Sequence, residues 1–265
     1  MENDEAIVIR STDFSETSLI VTLFTKHFGK IEAIAKGGRR LKNSFESALD
    51  ILTRINVTFI LKKNDTLNIL TESQLIRRFH VHQNNLHGLY AAYYAVELIN
   101  TFTERNLPNP QLYNIVTEKL NNFENPDSTN VTNSINYHIA QFNYQLLHEN
   151  GIQPTLKQCA ECGNKIEIIN PYQLIHFTQS AGGIICNTCT EIYRNSNQHY
   201  SLIKPETLKL LNHFESEINN KINTQSQYKN FSYTAIIETQ TLLNNYINFQ
   251  LGLQPRTQKY LKQFN

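Results

Sequence analysis

The sequence contains few cysteines, and all of them stand in two short pairs. The 265 residues include only four cysteines. Cys159 and Cys162 form one CxxC pair, Cys186 and Cys189 form the other, and 23 residues separate the pairs. Two CxxC turns can place four thiolates around one point, which is a tetrahedral donor set that suits Zn²⁺. We therefore predict one zinc ion per chain, with two disulfides or buried free thiols as the alternative.

The sequence also lacks the motifs of common catalytic sites. No GxxxxGK[ST] phosphate loop, HExxH pair, HxE…PCxxC deaminase pattern or GxSxG elbow occurs. Catalytic zinc usually keeps one position open for water, whereas four thiolates leave none. The predicted zinc is therefore structural. His176 lies between the two pairs as a possible substitute ligand, and His80 and His82 are a weaker metal-binding candidate.

Long hydrophobic runs are missing as well. No window approaches about 18 consecutive apolar residues, so no transmembrane helix is predicted. Residues 1–5 are acidic and lack the basic start of a signal peptide. Thiolate ligands need a reducing compartment, which favours the cytoplasm. The net charge is only +1, so the molecule as a whole is not a strongly basic nucleic-acid coat.

The first 80 residues contain short segments that are rich in β-branched side chains. Such segments are typical of strands, and Lys63-Asn64-Asp65 marks a hairpin turn. Five strands without a long helix between them indicate a small barrel, first an OB-fold and second an SH3-like barrel. The predicted strands are residues 5–11, 18–25, 30–36, 51–61 and 66–73.

After residue 80 the apolar residues recur every three to four positions, which is the period of a helix. The pattern predicts helices on both sides of the cysteine segment, and Pro205 stands where a first helical residue is expected. We therefore expect an α+β chain in four parts. These are an OB-fold barrel at 1–80, a helical bundle at 81–155 and 201–265, and an inserted four-cysteine zinc ribbon at 156–200.

Positive charge is concentrated in the loop after the third predicted strand. The loop 36–42 holds four cations and two glycines. Guanidinium groups match phosphate geometry, and glycine lets the backbone approach a ligand closely. The loop is therefore a candidate for binding a nucleic-acid backbone, with an ordinary charged surface loop as the alternative. The predicted DNA-binding residues are these cations, two hairpin lysines and two loop aromatics that can stack on bases: Lys36, Arg39, Arg40, Lys42, Lys62, Lys63, Phe14 and Phe45.

Three stretches resemble the bacterial RecO family of recombination mediators in DNA repair. The first runs over residues 5–18 and continues in Leu23-Phe24-Thr25. The second is Gly29-Lys30-Ile31 with residues 35–40, and the third is Phe177 with residues 182–189. Together they extend over nearly the whole chain.

The resemblance implies an N-terminal OB-fold, a helical bundle and a zinc ribbon. It also implies binding to single- and double-stranded DNA, annealing of complementary strands, work with RecR, contact with single-stranded-DNA-binding protein and help in loading RecA. A non-enzymatic mediator is therefore predicted. Two rivals are a zinc enzyme acting on nucleic acid and a protein-interaction adaptor. The adaptor would use the acidic middle of the chain, where residues 81–150 hold 2 Lys+Arg against 6 Asp+Glu.

Overall fold

The computed structural model describes residues 1–40, 45, 48–62, 66–79, 85–167, 170, 172–196, 199–220 and 227–264. The chain divides into two units. The first holds residues 1–125 with 259–261, and the second holds residues 126–258 with 262–265.

Five strands of the first unit close into a barrel. They are β1 (Glu2–Asp13), β2 (Leu19–Thr25), β3 (Gly29–Ala35), β4 (Thr53–Ile60) and β5 (Asn68–Arg78). The order around the barrel is β1-β2-β3-β5-β4, and β4 pairs back with β1. β3 and β5 run parallel, whereas all other neighbours run antiparallel. This is the topology of an OB-fold, so the predicted fold class is confirmed and the SH3-like alternative is set aside.

Alternation along the strands fills the barrel. On β3, Ile31, Ala33 and Ala35 point into the core, while the residues between them point outward. Each buried isoleucine or phenylalanine contributes about 1.5–3 kcal/mol relative to an exposed one. Compared with the sequence prediction, β1 begins three residues earlier and β5 ends later, at Arg78. These ends are hydrogen-bonded to β4, which extends them past the β-branched runs that predicted them.

Two helices belong to the barrel unit: α1 (Leu86–Phe102) and α2 (Pro110–Glu124). The Lys30 ammonium donates to the Asn100 carbonyl at 2.6 Å, and the Phe24 and Tyr113 rings are 6.1 Å apart. The change of period after residue 80 marks a new type of element, but it does not show which core that element joins. The predicted four-part domain boundaries stay a prediction.

The remaining helices are α3 (Val131–Glu149), α4 (Asn187–Asn195), α5 (Pro205–Asn220), α6 (Tyr233–Leu251) and α7 (Gln258–Leu261). In the second unit α3, α5 and α6 pack against one another around aromatic side chains. Phe214 lies 5.3 Å from the ring of Tyr137 and 6.0 Å from that of Tyr144. Within the described residues, no helix combines the length and the apolar character that crossing a bilayer requires.

A small ribbon precedes α5 in the second unit. Its strands are β6 (Ile175–Thr178), β7 (Gly183–Ile185) and β8 (Ser201–Ile203), in the antiparallel order β7-β6-β8. Thr155 lies beside β7 and exchanges backbone hydrogen bonds with Gly182 and Ile184. The ribbon brings the two ends of the cysteine segment together.

Candidate functional site

Four thiols meet at one point of the ribbon. The Sγ atoms of Cys159, Cys162, Cys186 and Cys189 all lie within 4.8 Å of one another, and none of the four is in a disulfide. The Sγ atoms of Cys162 and Cys186 are 3.8 Å apart. Four sulfurs bound at about 2.3 Å to one Zn²⁺ in tetrahedral geometry stand about 3.8 Å apart. The predicted ligand set is therefore assembled, and these cysteines can bind a metal ion.

The backbone explains why the two CxxC pairs meet. The first pair is tied to β7, because the Ala160 N–H donates to the Ile184 carbonyl at 2.8 Å. β7 leads directly into the second pair, where Cys186 caps the start of α4 and Cys189 lies in its first turn. The positive end of a helix favours nearby thiolates.

Backbone hydrogen bonds favour the thiolate form of Cys159. Burial raises the pKa of Cys159, but backbone N–H groups of Cys162, Cys186 and Glu161 outweigh it and bring that pKa down to about 7. One of these groups, the Cys186 N–H, lies 3.3 Å from the Cys159 sulfur. Burial raises the pKa of Cys189. Thiolates this close repel one another, so a shared divalent cation would offset both the repulsion and the burial.

His176 is not part of this cluster. It lies on β6, and its ring faces that of Tyr200 at a centroid distance of 5.3 Å. Burial and the charge of Arg194 lower the pKa of His176. The four sulfurs alone therefore form the candidate site, a closed set without a position for substrate water.

The basic loop of the barrel forms a tight turn directly after β3. Lys36, Arg39 and Arg40 are all exposed on it. Gly37 has φ +77°, a conformation that favours glycine, and a Cβ at Gly38 would lie 3.2 Å from the Ala35 carbonyl. The two glycines therefore shape the turn, and the close approach of a ligand to them stays a prediction.

Arg39 joins this turn to the β1–β2 loop. Its backbone N–H donates to the Thr17 carbonyl at 3.1 Å, and its guanidinium donates to the Ser15 carbonyl at 3.0 Å. The guanidinium also lies 3.3 Å from the carboxylate of Asp13. This pairing depends on β1, β2 and β3 lying side by side, so it leaves no local signal in the sequence. We name residues 13–18 and 36–40 together the basic corner.

An exposed aromatic side chain stands at the basic corner. Phe14 is 58% exposed and lies on the same loop as the carbonyl of Ser15 that Arg39 binds. The β1–β2 loop is one of the two loops with which OB-folds bind oligonucleotides. The structure thus brings Phe14, Lys36, Arg39 and Arg40 together, as phosphate and base recognition would require.

The β4–β5 connection supplies the other OB-fold binding loop. Lys62 is exposed there, and its N–H donates to the Asn68 side chain at 2.9 Å. Asn68 pairs with Ala33 of β3, two residues before the strand ends. Lys62 therefore stands beside the same strand that leads into the basic corner. The predicted residues Lys42 and Lys63, and the pair His80 and His82, lie outside the described residues.

Phe45 occupies a different environment from Phe14. It is 2% exposed and belongs to the hydrophobic core of the barrel. Its carbonyl accepts hydrogen bonds from the Ala48 N–H and the Ser73 hydroxyl. A ring in the core has no face open to a base, so we remove Phe45 from the proposed interface. A loop position suggested exposure, but the loop folds back over the barrel at this residue.

Two models of protein families match the sequence of this chain. Residues 1–79 match the model described as Recombination protein O N terminal, and residues 83–259 match Recombination protein O C terminal. The chain belongs to the recombination protein O family. Recombination protein O, or RecO, is a family of DNA repair proteins, and the resemblance seen in the sequence is confirmed.

Relatives in the RecO family cover most or all of the chain. The DNA repair protein RecO of Rhodopirellula baltica is 36% identical over 212 residues, which is 80% of this chain and 74% of that protein. That of Listeria monocytogenes serotype 4b (strain F2365) is 27% identical over all of this chain and 95% of its own length. That of Caldanaerobacter subterraneus is 31% identical over 72% of each chain.

The two phenylalanines are expected to respond oppositely to truncation in this RecO-family barrel. Phe45→Ala leaves a cavity in the core and should reduce the free energy of unfolding by about 3–5 kcal/mol. Phe14→Ala removes an exposed ring and should leave stability unchanged within about 0.5 kcal/mol. Thermal or urea unfolding of both variants measures the difference. Equal stability losses would contradict the two assignments.

Asp13 should hold back the affinity of the basic corner for anions. Asp13→Asn removes a carboxylate beside Arg39, so single-stranded DNA should bind about two- to fivefold more tightly at low salt. Asp50→Asn is a matched control, because Asp50 and Asp13 side chains are both 67% exposed and Asp50 pairs with Arg78 elsewhere on the barrel. Fluorescence anisotropy compares the variants. The same gain in both would show that only total charge matters.

Proposed function

We propose that the protein is a non-enzymatic DNA-binding mediator of recombination, acting in DNA repair. It binds single- and double-stranded DNA and promotes annealing of complementary strands. The observation that carries the proposal is the basic corner on an OB-fold barrel, where Arg39 joins the β1–β2 loop to an exposed cationic turn. Membership in a family of DNA repair proteins supports the same function.

The phosphate backbone would be held by the cations of the two barrel loops. Lys36, Arg39 and Arg40 lie at the corner and Lys62 lies by the hairpin, with Lys42 and Lys63 proposed from the sequence alone. Neutralising phosphates reduces the repulsion between two strands, which is the main electrostatic obstacle to annealing. Phe14 would stack on a base, a contact that tolerates any sequence.

The metal at the four cysteines is proposed to be Zn²⁺, one ion per chain. An S₄ donor set within 4.8 Å favours zinc among common divalent ions, because thiolates are soft ligands and the geometry is tetrahedral. When bound, the ion would supply no chemistry on a substrate. The four cysteines would hold β7, α4 and the first CxxC turn together, and the ribbon would owe its shape to them.

Partners follow from the family resemblance. We propose that the protein works with RecR, contacts single-stranded-DNA-binding protein and assists the loading of RecA in the cytoplasm. A closed thiolate site and the absence of catalytic sequence motifs support a mediator without enzymatic activity. No surface of the described residues is assigned to any of these protein partners.

The second candidate function is a protein-interaction adaptor that does not touch DNA itself. The acidic stretch 81–150 favours it, because its charge would repel DNA and suit a basic partner. The two candidates differ in one measurable property. A mediator binds oligonucleotides with an affinity that falls as salt rises, whereas an adaptor shows no such binding.

Fluorescence anisotropy of a labelled single-stranded oligonucleotide across a salt series is the deciding experiment. We expect the logarithm of the affinity to fall linearly with the logarithm of salt concentration, by about 0.7 for each neutralised phosphate. Annealing of two complementary oligonucleotides, followed by fluorescence quenching, should be accelerated under the same conditions. No binding even at low salt would overturn the mediator function and favour the adaptor.

A further inference from the structure

Exposure divides the four thiols of the cysteine cluster into two pairs. Cys159 and Cys189 are buried, with 1% and 7% of their surface exposed. Cys162 is exposed and Cys186 is half-buried. We name Cys159 and Cys189 the inner pair, and Cys162 and Cys186 the outer pair. Each pair takes one cysteine from each CxxC turn, so the division appears only when the two turns have come together.

Packing explains why the inner pair is hidden. Cys159 and Cys189 belong to a small hydrophobic cluster with Ile185 and Tyr193. The Cys159 sulfur also accepts a hydrogen bond from the Cys186 N–H at 3.3 Å, which occupies one of its acceptor positions. A reagent dissolved in the solvent therefore does not reach these two sulfurs while the ribbon is folded.

The turn around Cys162 is open to solvent. Residues 161–165 are all exposed, and a Cβ built on Gly163 would meet no atom within 4 Å. The sulfur of Cys186 lies 3.8 Å from that of Cys162. Since the two sulfurs of a disulfide are about 2.05 Å apart, a movement of about 2 Å brings the outer pair to bonding distance.

Ligand chemistry keeps the exposed sulfur in its reactive form. A cysteine binds a metal ion as the thiolate, and the thiolate is also the nucleophile in thiol oxidation. Exposure then decides which of the four thiolates an oxidant meets first. Cys162 is the exposed one, and Cys186 is the half-buried partner beside it.

We propose that Cys162 is an oxidation site for hydrogen peroxide and that Cys186 is its resolving cysteine, so that the oxidant closes a disulfide across the outer pair and opens the metal site. This rests on the proposed zinc ion and adds how the site loses it. The proposal involves no residue of the barrel, so it is independent of the proposed DNA binding.

The oxidation takes two steps. The Cys162 thiolate attacks one oxygen of hydrogen peroxide, the O–O bond breaks, and a sulfenic acid forms while hydroxide leaves. The Cys186 thiolate then attacks the Cys162 sulfur, the S–O bond breaks, and the disulfide forms while a second hydroxide leaves. Two electrons pass from the two sulfurs to the peroxide, and two protons from solvent convert the hydroxides into water.

The disulfide changes what the cluster can hold. It leaves two thiolates where a structural zinc site uses four ligands, so the ion is released. The cross-link joins the first CxxC turn to the residue at which α4 begins, and it therefore keeps the two turns together after the metal is lost. A disulfide is reversible, so a dithiol reductant restores all four ligands.

The test treats zinc-loaded full-length protein with hydrogen peroxide and records zinc release with a chromophoric chelator. Wild type should release one zinc per chain, and peptide mapping after alkylation should find the outer pair joined and the inner pair alkylated. Dithiothreitol with added zinc should restore the metal. Cys162→His keeps a zinc ligand that forms no disulfide, so it should release zinc about tenfold more slowly. Thr188→Ala, at an exposed position between two ligands, is the matched control and should release zinc at the wild-type rate.

Other outcomes overturn the oxidation site. A disulfide within one CxxC turn or across the inner pair would contradict the assignment, as would zinc release from Cys162→His at the wild-type rate. If Cys162→His binds no zinc, the peptide map of wild type decides alone. Wild type that keeps its zinc in peroxide would refute the oxidation site and leave the proposed zinc intact, whereas wild type that is folded and metal-free under reducing conditions would refute both.

Discussion

Replacing Arg39 and Arg40 together by alanine is expected to lower the affinity for single-stranded DNA about tenfold at about 0.1 M salt. Each phosphate released from a cation removes about 0.7 from the salt slope, so two full contacts would remove about 1.4. Asp13 already offsets part of the Arg39 charge at 3.3 Å, so a loss of about 1 is expected. A slope difference of about 1 means that the ratio of the wild-type affinity to the variant affinity changes tenfold for each tenfold change in salt concentration.

The measurement is the anisotropy salt series on wild type and variant, with annealing rates determined in parallel. Arg77→Ala/Arg78→Ala is a matched control, because these adjacent arginines are on the same barrel but pair with Glu124 and Asp50. The control should leave the slope unchanged. Arg40→Lys keeps the charge without the fork, so it should retain the slope while losing part of the affinity.

In the Arg39→Ala/Arg40→Ala variant, an effect on stability must be separated from an effect on DNA binding. The Arg39 guanidinium donates to the Ser15 carbonyl, so alanine loosens the β1–β2 loop as well as removing charge. The Arg39 side chain is 40% exposed, so the loss of unfolding free energy should be small. Annealing and binding at the wild-type level would show that the basic corner is not the DNA site.

The parts of the fold that could be predicted from the sequence are those whose signal lies in residues close together in the chain. Alternation along β3, with Ile31, Ala33 and Ala35 facing inward, is visible in the sequence because a strand places every second residue on one face. The cysteine cluster was equally visible, because a CxxC turn fixes two thiols within four residues. Both predictions depend on neighbours in the chain and not on distant contacts.

What sequence reasoning missed depends on distant contacts. Helix α4 went unpredicted, because its nine residues are mostly polar and its start is set by Cys186 in the metal cluster. The ion pair between Asp13 and Arg39 needs β1 beside β2 and β2 beside β3. Phe45 was predicted to be exposed, because nothing in a loop sequence shows that the chain turns back into the core.

Replacing Cys186 by serine is expected to abolish metal binding and unfold the ribbon. The Cys186 sulfur is one of four that lie within 4.8 Å of one another, and serine removes one of the four protein ligands that a structural zinc site uses. Metal binding contributes about 10–16 kcal/mol of folding free energy in zinc-finger peptides. Among the described residues, the buried members of the cysteine core are few, namely Cys159, Ile185, Cys189 and Tyr193. Without the metal, so small a core offsets little of the ordering cost of the residues around it, which is about 1–2 kcal/mol per residue.

Serine is a stringent substitution at this position, because it removes the thiolate ligand and keeps the other structural roles of residue 186. Cys186 occupies the N-cap position of α4, where serine is a favoured residue. The Cys186 N–H that points at the Cys159 sulfur is retained as well. Loss of the ribbon in this variant would therefore report the missing thiolate and not a damaged helix. Thr188→Ala, at the exposed position between the two ligands, is the matched control and should keep its metal.

Native mass spectrometry gives the metal content, and hydrogen exchange over residues 175–203 gives the state of the ribbon. Wild type and Thr188→Ala should carry one zinc per chain and show protected β6 and β7 amides. Cys186→Ser should carry none and exchange those amides rapidly, while the amides of the barrel strands stay protected because their core contains no residue of the ribbon. A variant that keeps one ion, or a wild-type protein that is folded and metal-free under reducing conditions, would refute the structural metal. Cobalt substitution separates these cases further, since an S₄ site gives intense thiolate charge-transfer bands. A spectrum that indicates an oxygen or nitrogen ligand would instead favour the alternative function, a zinc enzyme acting on nucleic acid.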